Sequence, residues 1–423
     1  VDLSGHAVED ENAGAVGVID EGDQPLAELQ WLDGAAGQPS APKVLGLRKV
    51  DGAAGTEIWQ ERSAERRELA LILSGANTST SDEHDFLPFA HQPLRPPAVR
   101  AVGVEVERAS GGGREVLRAG EIVLCGGAIN SPQLLQLSGV GPADHLRRHG
   151  IDVVADVPAV GAHLQDHLEV YLQHACTQPV SMAPNLATWR RPVIGLEWLF
   201  RRGPGATNHF EAGGFVRSND EVAYPNVMFH FLPIAIRYDG TVPEGGGGHG
   251  YQVHVGPMYS DARGSVRLKS RDPRVKPALR FNYLSTETDR REWVETIQAA
   301  RSILAQPAFA PYDGGEISPG PGVETDEQIL DWVARDGETA LHPSCTARMG
   351  TDADSAIDPD SLRVHGVDGL RVVDASSMRY VTNGNIYAPT MMLAEKAADL
   401  ILGNTPLPAE HVDYSQVRRT TVE

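Results

Sequence analysis

Cysteine is scarce: Cys125, Cys176 and Cys345 are the only three, they stand far apart, and none falls in a C-x-x-C spacing. That excludes a disulfide framework and a cysteine-based zinc site, and no metal is expected. The pattern fits a reducing cytoplasm. Basic charge is also short, with 37 Lys and Arg against 57 Asp and Glu for a formal net charge of -20. A nucleic-acid surface needs clustered cations, so nucleic acid is excluded as a partner. The acidic excess aids solubility and would concentrate a cationic ligand, although an ordinary solvated surface explains it more simply. No apolar run reaches the roughly 20 residues of a membrane span. The opening Val-Asp-Leu-Ser-Gly-His lacks the charged and apolar regions of a signal peptide. These absences predict a soluble, cytoplasmic protein with no integral span, touching the inner membrane peripherally if at all.

With 423 residues the chain can bury a sizeable core and hold two domains. Arg100 to Glu107 reads as a strand that pairs with Glu115 to Leu117 across the Gly111 to Gly113 turn. Glu121 to Cys125 is a short apolar strand running into Gly126 and Gly127, and a helix follows with Ser131 as N-cap, Pro132 at its first position, and Leu134, Leu135 and Leu137 inward. A strand that breaks at glycines into a helix start suits a cofactor phosphate or ribose, and also suits plain α/β packing. Further on, Val253 to Met258, Ser265 to Lys269 and Leu279 to Asn282 read as strands, and Glu287 to Leu304 has helical period with Trp293, Ile297 and Ile303 apolar. Gly245 to Gly250 reads as a loop, a lid or more commonly a linker. Leu370 to Val373 is a strand, and Thr390 to Leu402 a helix with Met392, Leu393 and Ala397 inward and Gly403 as its stop.

Three segments near the end carry the chemistry: His-Pro-Ser-Cys-Thr-Ala-Arg-Met-Gly (His342 to Gly350), Val-Val-Asp-Ala-Ser (Val372 to Ser376) and Asn-Gly-Asn-Ile-Tyr-Ala-Pro-Thr (Asn383 to Thr390). A histidine in a punctuated loop, then a strand, a polar turn and a helix start, is an active-site layout. With Cys-Gly-Gly-Ala-Ile-Asn-Ser-Pro-Gln-Leu-Leu-Gln-Leu-Ser-Gly-Val-Gly-Pro (Cys125 to Pro142), these segments resemble the glucose-methanol-choline oxidoreductases. Val160 to His167, Asn208 to Phe215 and Arg263 to Pro273 narrow the resemblance to the choline dehydrogenase branch. It runs from about Val99 to Val412.

The resemblance implies a mixed α/β (α+β) fold: a discontinuous, Rossmann-like FAD-binding domain with an inserted antiparallel-sheet substrate domain. The expected division is an atypical region over residues 1–97, an FAD-domain portion over 98–170, a substrate-binding domain over 171–335, and a return to the FAD domain over 336–423. It implies FAD as cofactor and oxidation of choline to betaine aldehyde, a step in glycine betaine formation, by proton abstraction and hydride transfer. His342 matches the family's catalytic base, and a neutral imidazole is well matched to that task; a structural histidine at the Pro343 turn is the plainer alternative. Asn385 falls on the family's second catalytic position, able to hold the developing alkoxide and to face the cofactor, or merely to form the turn. Tyr387 would line the substrate pocket. Glu211 matches the carboxylate that pairs with choline's quaternary ammonium, a group that needs a carboxylate and aromatic faces; a solvent-facing edge glutamate is the alternative. Gly126, Gly127 and Ala128, with Asp374 and Ala375, correspond to turns that approach FAD, although Asp374 could simply cap its turn. A quinone-type acceptor or oxygen takes the electrons, and a homo-oligomer stays open.

The first stretch departs from the family, whose members begin with a strand, a G-x-G-x-x-G turn and a helix whose start approaches the FAD pyrophosphate. No glycine turn of that kind stands between a strand and a helix here. The nearest approach is Lys43 to Val50 as strand, Asp51 to Gly55 as turn, Thr56 to Glu68 as helix and Leu69 to Leu73 as a second strand, with Ser74 where an acid is wanted. Two rivals therefore stand beside choline oxidation: another primary alcohol as substrate, or an inactive relative unable to bind FAD.

Overall fold

The computed structural model describes residues 46–50, 56–62, 70–75, 84–93, 99–108, 114–236, 249–405 and 407. A five-stranded sheet runs in the order β1 (Gly46–Val50), β2 (Thr56–Arg62), β3 (Ala70–Gly75), β7 (Glu121–Cys125) and β20 (Leu370–Val372). β1, β2 and β3 pair antiparallel, whereas β3, β7 and β20 run parallel. Parallel strands are covered on both faces and read as continuous apolar runs; Ile122, Val123 and Leu124 of β7 are all buried. α1 (Gly127–Leu137) leaves β7 and α6 (Tyr387–Leu402) follows β20, and Leu134, Leu135, Leu393 and Ala397 close one apolar core with the strands. Strands some 250 positions apart in the chain thus lie side by side, so the C-terminal stretch completes a sheet begun much earlier.

Against this sheet stand β4 (His84–Pro93), β5 (Val99–Arg108), β6 (Arg114–Arg118) and β19 (Val367–Asp368), with β5 paired to each of the others. The expected β5/β6 hairpin is present. α2 (Ala143–Arg148) sits between β8 (Val140–Gly141) and β9 (Ala155–Asp156), and β10 (Ala162–Leu164), β15 (Gly264–Arg267) and β16 (Ala278–Arg280) form a three-stranded sheet.

The larger antiparallel sheet runs β12 (Ala212–Val216), β13 (Val227–Leu232), β14 (Gly250–Pro257), β11 (Leu168–Cys176) and β17 (Asp313–Ser318), with β18 (Glu338–Thr339) also on β11. Its residues alternate between two faces, as a pleated strand requires. Leu172, Val253, Val255 and Phe229 face α4 (Glu287–Leu304) and α5 (Asp326–Asp336), whose Trp293, Ile297 and Trp332 fill a second core. Thr286 caps α4 by accepting from Asp289 N, and Thr325 with Gln328 forms a capping box on α5. The opposite face carries Glu169, Tyr171, His230, Gln252 and His254, which is unusual for a strand interior. α3 (Arg191–Leu199) has no buried residue.

The mixed α/β class is as expected, and four local expectations are corrected. Thr56–Arg62 is a strand rather than the start of a helix: after Ile58 and Trp59 no large apolar residue returns at helical spacing, and pairing with β1 and β3 satisfies the backbone instead. α1 starts at Gly127, so Pro132 lies inside the helix and Ser131 is not its N-cap. Proline has no N–H for the carbonyl four residues back. That carbonyl, of Ala128, instead accepts from Thr346 Oγ1 at 2.6 Å. Met392 is 60% exposed, because a helix that turns Leu393 and Ala397 inward points the residue before Leu393 about 100° away. Of the Gly245 to Gly250 run, residues 245–248 lie outside the described residues, and Gly250 opens β14. Among the described residues, no helix is long and apolar enough to cross a membrane, and no His, Cys, Asp and Glu group could hold a metal ion.

Candidate active site

His342 follows β18 on a loop that hydrogen bonds hold at each step. Ala340 N donates to His167 O, Leu341 N to Thr339 Oγ1, and His342 N to Asp166 Oδ1 at 2.9 Å. Leu341 has φ of 60°, a left-handed conformation costing on the order of 1 kcal/mol; the bonds on either side hold it there. Asp166 is buried, and its Oδ2 accepts from Tyr283 OH and Thr339 Oγ1, both at 2.5 Å. Burial pushes its pKa up to about 6, against the pull of those donors. The carboxyl therefore acts as a fixed peg beneath the histidine loop.

The His342 ring meets His167 Nδ1 at 3.0 Å through its own Nδ1, and Asn385 Nδ2 at 3.5 Å through Nε2. Burial lowers its pKa to about 4, with Glu169 opposing and His230 reinforcing the shift. The imidazole is thus neutral at neutral pH and able to accept a proton. Asn385 stands just before α6, in the exposed turn that follows Gly384, and Asn383 Nδ2 anchors that turn on Pro225 O at 2.8 Å. The two predicted catalytic residues therefore meet, Asn385 Nδ2 against His342 Nε2.

The residues expected at the cofactor turns also converge. Asp374 Oδ2 accepts from Gly127 N at 2.9 Å and from Ser131 Oγ at 2.5 Å, while Oδ1 accepts from Ser376 N at 2.8 Å and from Ser376 Oγ. The histidine loop is zipped onto the same turn: Cys345 N donates to Ala375 O, Ala347 N to Ser376 O and Met349 N to Ser377 O. Ala128 joins through the Thr346 bond, so Gly126, Gly127, Ala128, Asp374 and Ala375 form one cluster that carries His342 on its flank. Asp374 does cap its turn, and it also welds that turn to α1.

Glu211 and Tyr387 stand apart from these contacts. Glu211 is exposed at the start of the β12 edge, its Oε1 accepting from Thr207 Oγ1 at 3.1 Å, and Tyr387 is 57% exposed on the first turn of α6. Phe210, next to Glu211, lies edge-on against His230 and His254, each at 5.5 Å. At the far end of β12, Phe215 packs against Gly384, beside Asn385. The 210–215 segment therefore runs from the His230 and His254 rings to the Gly384 turn.

Sequence reasoning missed the polar face of the larger sheet. His254 stacks on Tyr171 at 3.9 Å, and its Nδ1 lies 3.1 Å from Glu169 Oε1. His230 faces His254 in register, and burial lowers its pKa while Glu169 raises it. The available signal was the alternation of Glu169, Tyr171 and Gln173 with Val170 and Leu172, a strand too polar on one side to lie wholly in a core.

Two GMC oxidoreductase profiles, for the N- and C-terminal parts of that family, match residues 92–169 and 260–394. The chain belongs to the GMC oxidoreductase family. An oxygen-dependent choline dehydrogenase of Staphylococcus saprophyticus is 61% identical over 306 residues, covering 71% of this chain and 54% of that protein. Another, of Staphylococcus aureus (strain JH9), is 53% identical over 385 residues, covering 90% and 66%. This GMC chain thus spans between about half and two thirds of the length of those relatives. Among solved structures, pyridoxine 4-oxidase from Mesorbium loti aligns with TM-score 0.64 at 27% identity over 76% of this chain and 58% of its own. A formate oxidase of Aspergillus oryzae RIB40, studied for FAD modification, aligns with TM-score 0.69 at 26% identity over 76% and 60%.

Proposed function

We propose that this GMC chain oxidises an alcohol with FAD, and that the alcohol is choline, yielding betaine aldehyde. The facing of neutral His342 and Asn385 over an open turn carries the reading. The names of its relatives supply the substrate class, and the formate oxidase studied for FAD modification supplies the cofactor.

The residues present fit the flavin end of FAD. Gly127 has φ of +77°, and a Cβ there would meet nothing within 4 Å. The amides of Gly126 and Gly127 at the start of α1 are already taken by Ser131 Oγ and Asp374 Oδ2, so the fit rests on the open space at Gly127. Gly126 to Ala128 and Asp374 to Ala375 would line the cofactor, with Asn385 at the reacting edge. FAD, when bound, supplies the acceptor for the hydride leaving the alcohol carbon. His342 Nε2 takes the hydroxyl proton. The Asn385 amide donates to the alcohol oxygen and stabilises its growing negative charge. Glu211, with Phe210 beside it, receives the quaternary ammonium. In this reading residues 98–170 and 336–423 are the cofactor portion, 171–335 cover the substrate, and the enzyme works in the cytoplasm. Oxygen, on which the choline dehydrogenase relatives depend by name, or a quinone-type acceptor takes the electrons.

The test is an absorption spectrum of the purified protein, before and after anaerobic choline. A flavin spectrum bleached by choline supports the reading. A colourless protein that added FAD does not stabilise thermally overturns it. Glu211→Gln decides the substrate. Choline affinity should fall by orders of magnitude while a neutral alcohol is nearly unaffected, and equal effects on both would end the choline proposal.

A further inference from the structure

Two buried polar side chains that touch His342, Asp166 and His167, have no part in the scheme above. Asp166 grips the backbone of His342, whereas His167 touches its ring. We propose that His167 is a positioning residue that fixes the tautomer of His342, forcing the proton onto Nδ1 and leaving Nε2 bare toward Asn385 and the substrate.

The far end of the pair fixes the rest. His167 Nε2 lies 2.9 Å from the carbonyl oxygen of buried Met258. A carbonyl can only accept, so Nε2 carries a proton. A second proton on the ring would make it an imidazolium. The Met258 and Thr382 carbonyls favour that, but burial and the neighbouring His342 outweigh them and hold the pKa near 3. At neutral pH His167 therefore has one proton, already committed to Met258, and its Nδ1 is a lone pair. The 3.0 Å contact between the two Nδ1 atoms needs one proton, which His342 must supply. His342 is itself neutral, so its Nε2 has none. The other end agrees independently, since the nitrogen of the Asn385 amide is a donor and requires an acceptor at Nε2.

The opposite tautomer would set two lone pairs against each other at 3.0 Å and turn the donor end of Nε2 against the Asn385 amide. It would also aim a proton at the very hydroxyl from which one must be taken. Among the described residues, His342 Nδ1 has no other hydrogen-bond partner that could make this choice. The second nitrogen's hydrogen bond commonly decides which nitrogen of a histidine acts.

The inference rests in part on the proposed oxidation, so its test includes a readout independent of activity. In protein labelled with 15N-histidine, the His342 signals, assigned by their loss in His342→Gln, should show a protonated Nδ1 and an unprotonated Nε2 at neutral pH. A protonated Nε2 in the unsubstituted protein overturns the proposal without touching the reaction. His167→Leu should mix or reverse that pattern and lower kcat about tenfold or more with the KM for choline little changed. His167→Gln, which can still donate to Met258 and accept from His342, should keep both the pattern and most of kcat. If His167→Leu folds with the pattern and kcat unaltered, or if His167→Gln loses both as fully as His167→Leu, the proposal falls. A correct pattern in a protein that never oxidises choline would instead refute only the proposed reaction.

Discussion

Replacing Asp374 by alanine should loosen the joint between α1 and the turn after β20, and the structure sets the size of the effect. The buried carboxylate accepts from four donors: Gly127 N, Ser131 Oγ, Ser376 N and Ser376 Oγ. An unsatisfied buried donor costs about 1–3 kcal/mol. Two of these are hydroxyls that can rotate to other acceptors, while the two backbone amides cannot. Removing the carboxyl also relieves its own desolvation, which raises its pKa in the fold. Counting the two amides, with partial relief, gives a loss of about 3 kcal/mol. Asp374→Asn keeps one oxygen and turns an amide donor toward the other pair, so about half that loss is expected. Urea unfolding followed by tryptophan fluorescence at neutral pH measures both, with an unchanged m-value showing that the unfolding reaction is the same. An alanine variant within about 0.5 kcal/mol of the parent, the usual scale of a surface change, would refute the assignment of Asp374 as the weld.

His342→Ala should lower kcat/KM for choline by about 10²- to 10⁴-fold, the usual worth of a general base, and a loss under about fivefold would remove His342 from the chemistry. Glu169→Gln takes away the charge that raises the His342 pKa, so an NMR titration should find the imidazole protonating at lower pH than in the parent, and a higher value would contradict the electrostatics. Holding His342 near 4 when a free imidazole titrates at 6.5 means that the unfolded chain gains the first proton. Stability is therefore lost as pH falls from about 6.5 toward 4, by about 3 kcal/mol from this group at roughly 1.4 kcal/mol per tenfold in proton affinity. Asp166, raised to about 6, acts in the opposite sense. The check is consequently a comparison, in which His342→Gln should show a shallower acid loss than the parent. Trp293→Ala, in the core between α4 and the larger sheet, should cost about 3–5 kcal/mol in the same urea assay, and less than about 1 kcal/mol would mean that the core collapses around the gap.

Much of the frame was legible because its signals are local. Glu121 to Cys125 reads as a buried strand from its apolar run, Glu287 to Leu304 as a helix from its period, and Gly403 as a stop because a left-handed residue was needed, all as observed. The errors came where a local rule met a competing contact. Ser-Pro suggests a helix start, but Ser131 Oγ is held by Gly126 N and Asp374, and Thr346 takes over the carbonyl that Pro132 releases, so the helix begins at Gly127 instead.

By itself the sequence named the candidate side chains for the chemistry and determined the family to which the chain belongs, since motif order and residue type are written along the chain. Only the tertiary structure decided which of them meet. Asn385 reaches His342 because β20 returns to lie beside β7 and leads on to α6 next to the histidine loop, a pairing of strands nearly 250 residues apart that no local pattern encodes. It also selected His167, Glu169, His230 and His254, because strand alternation tells which residues share a face but not what that face is packed against. The partner of a buried polar group is a long-range choice, and that choice sets where each proton sits.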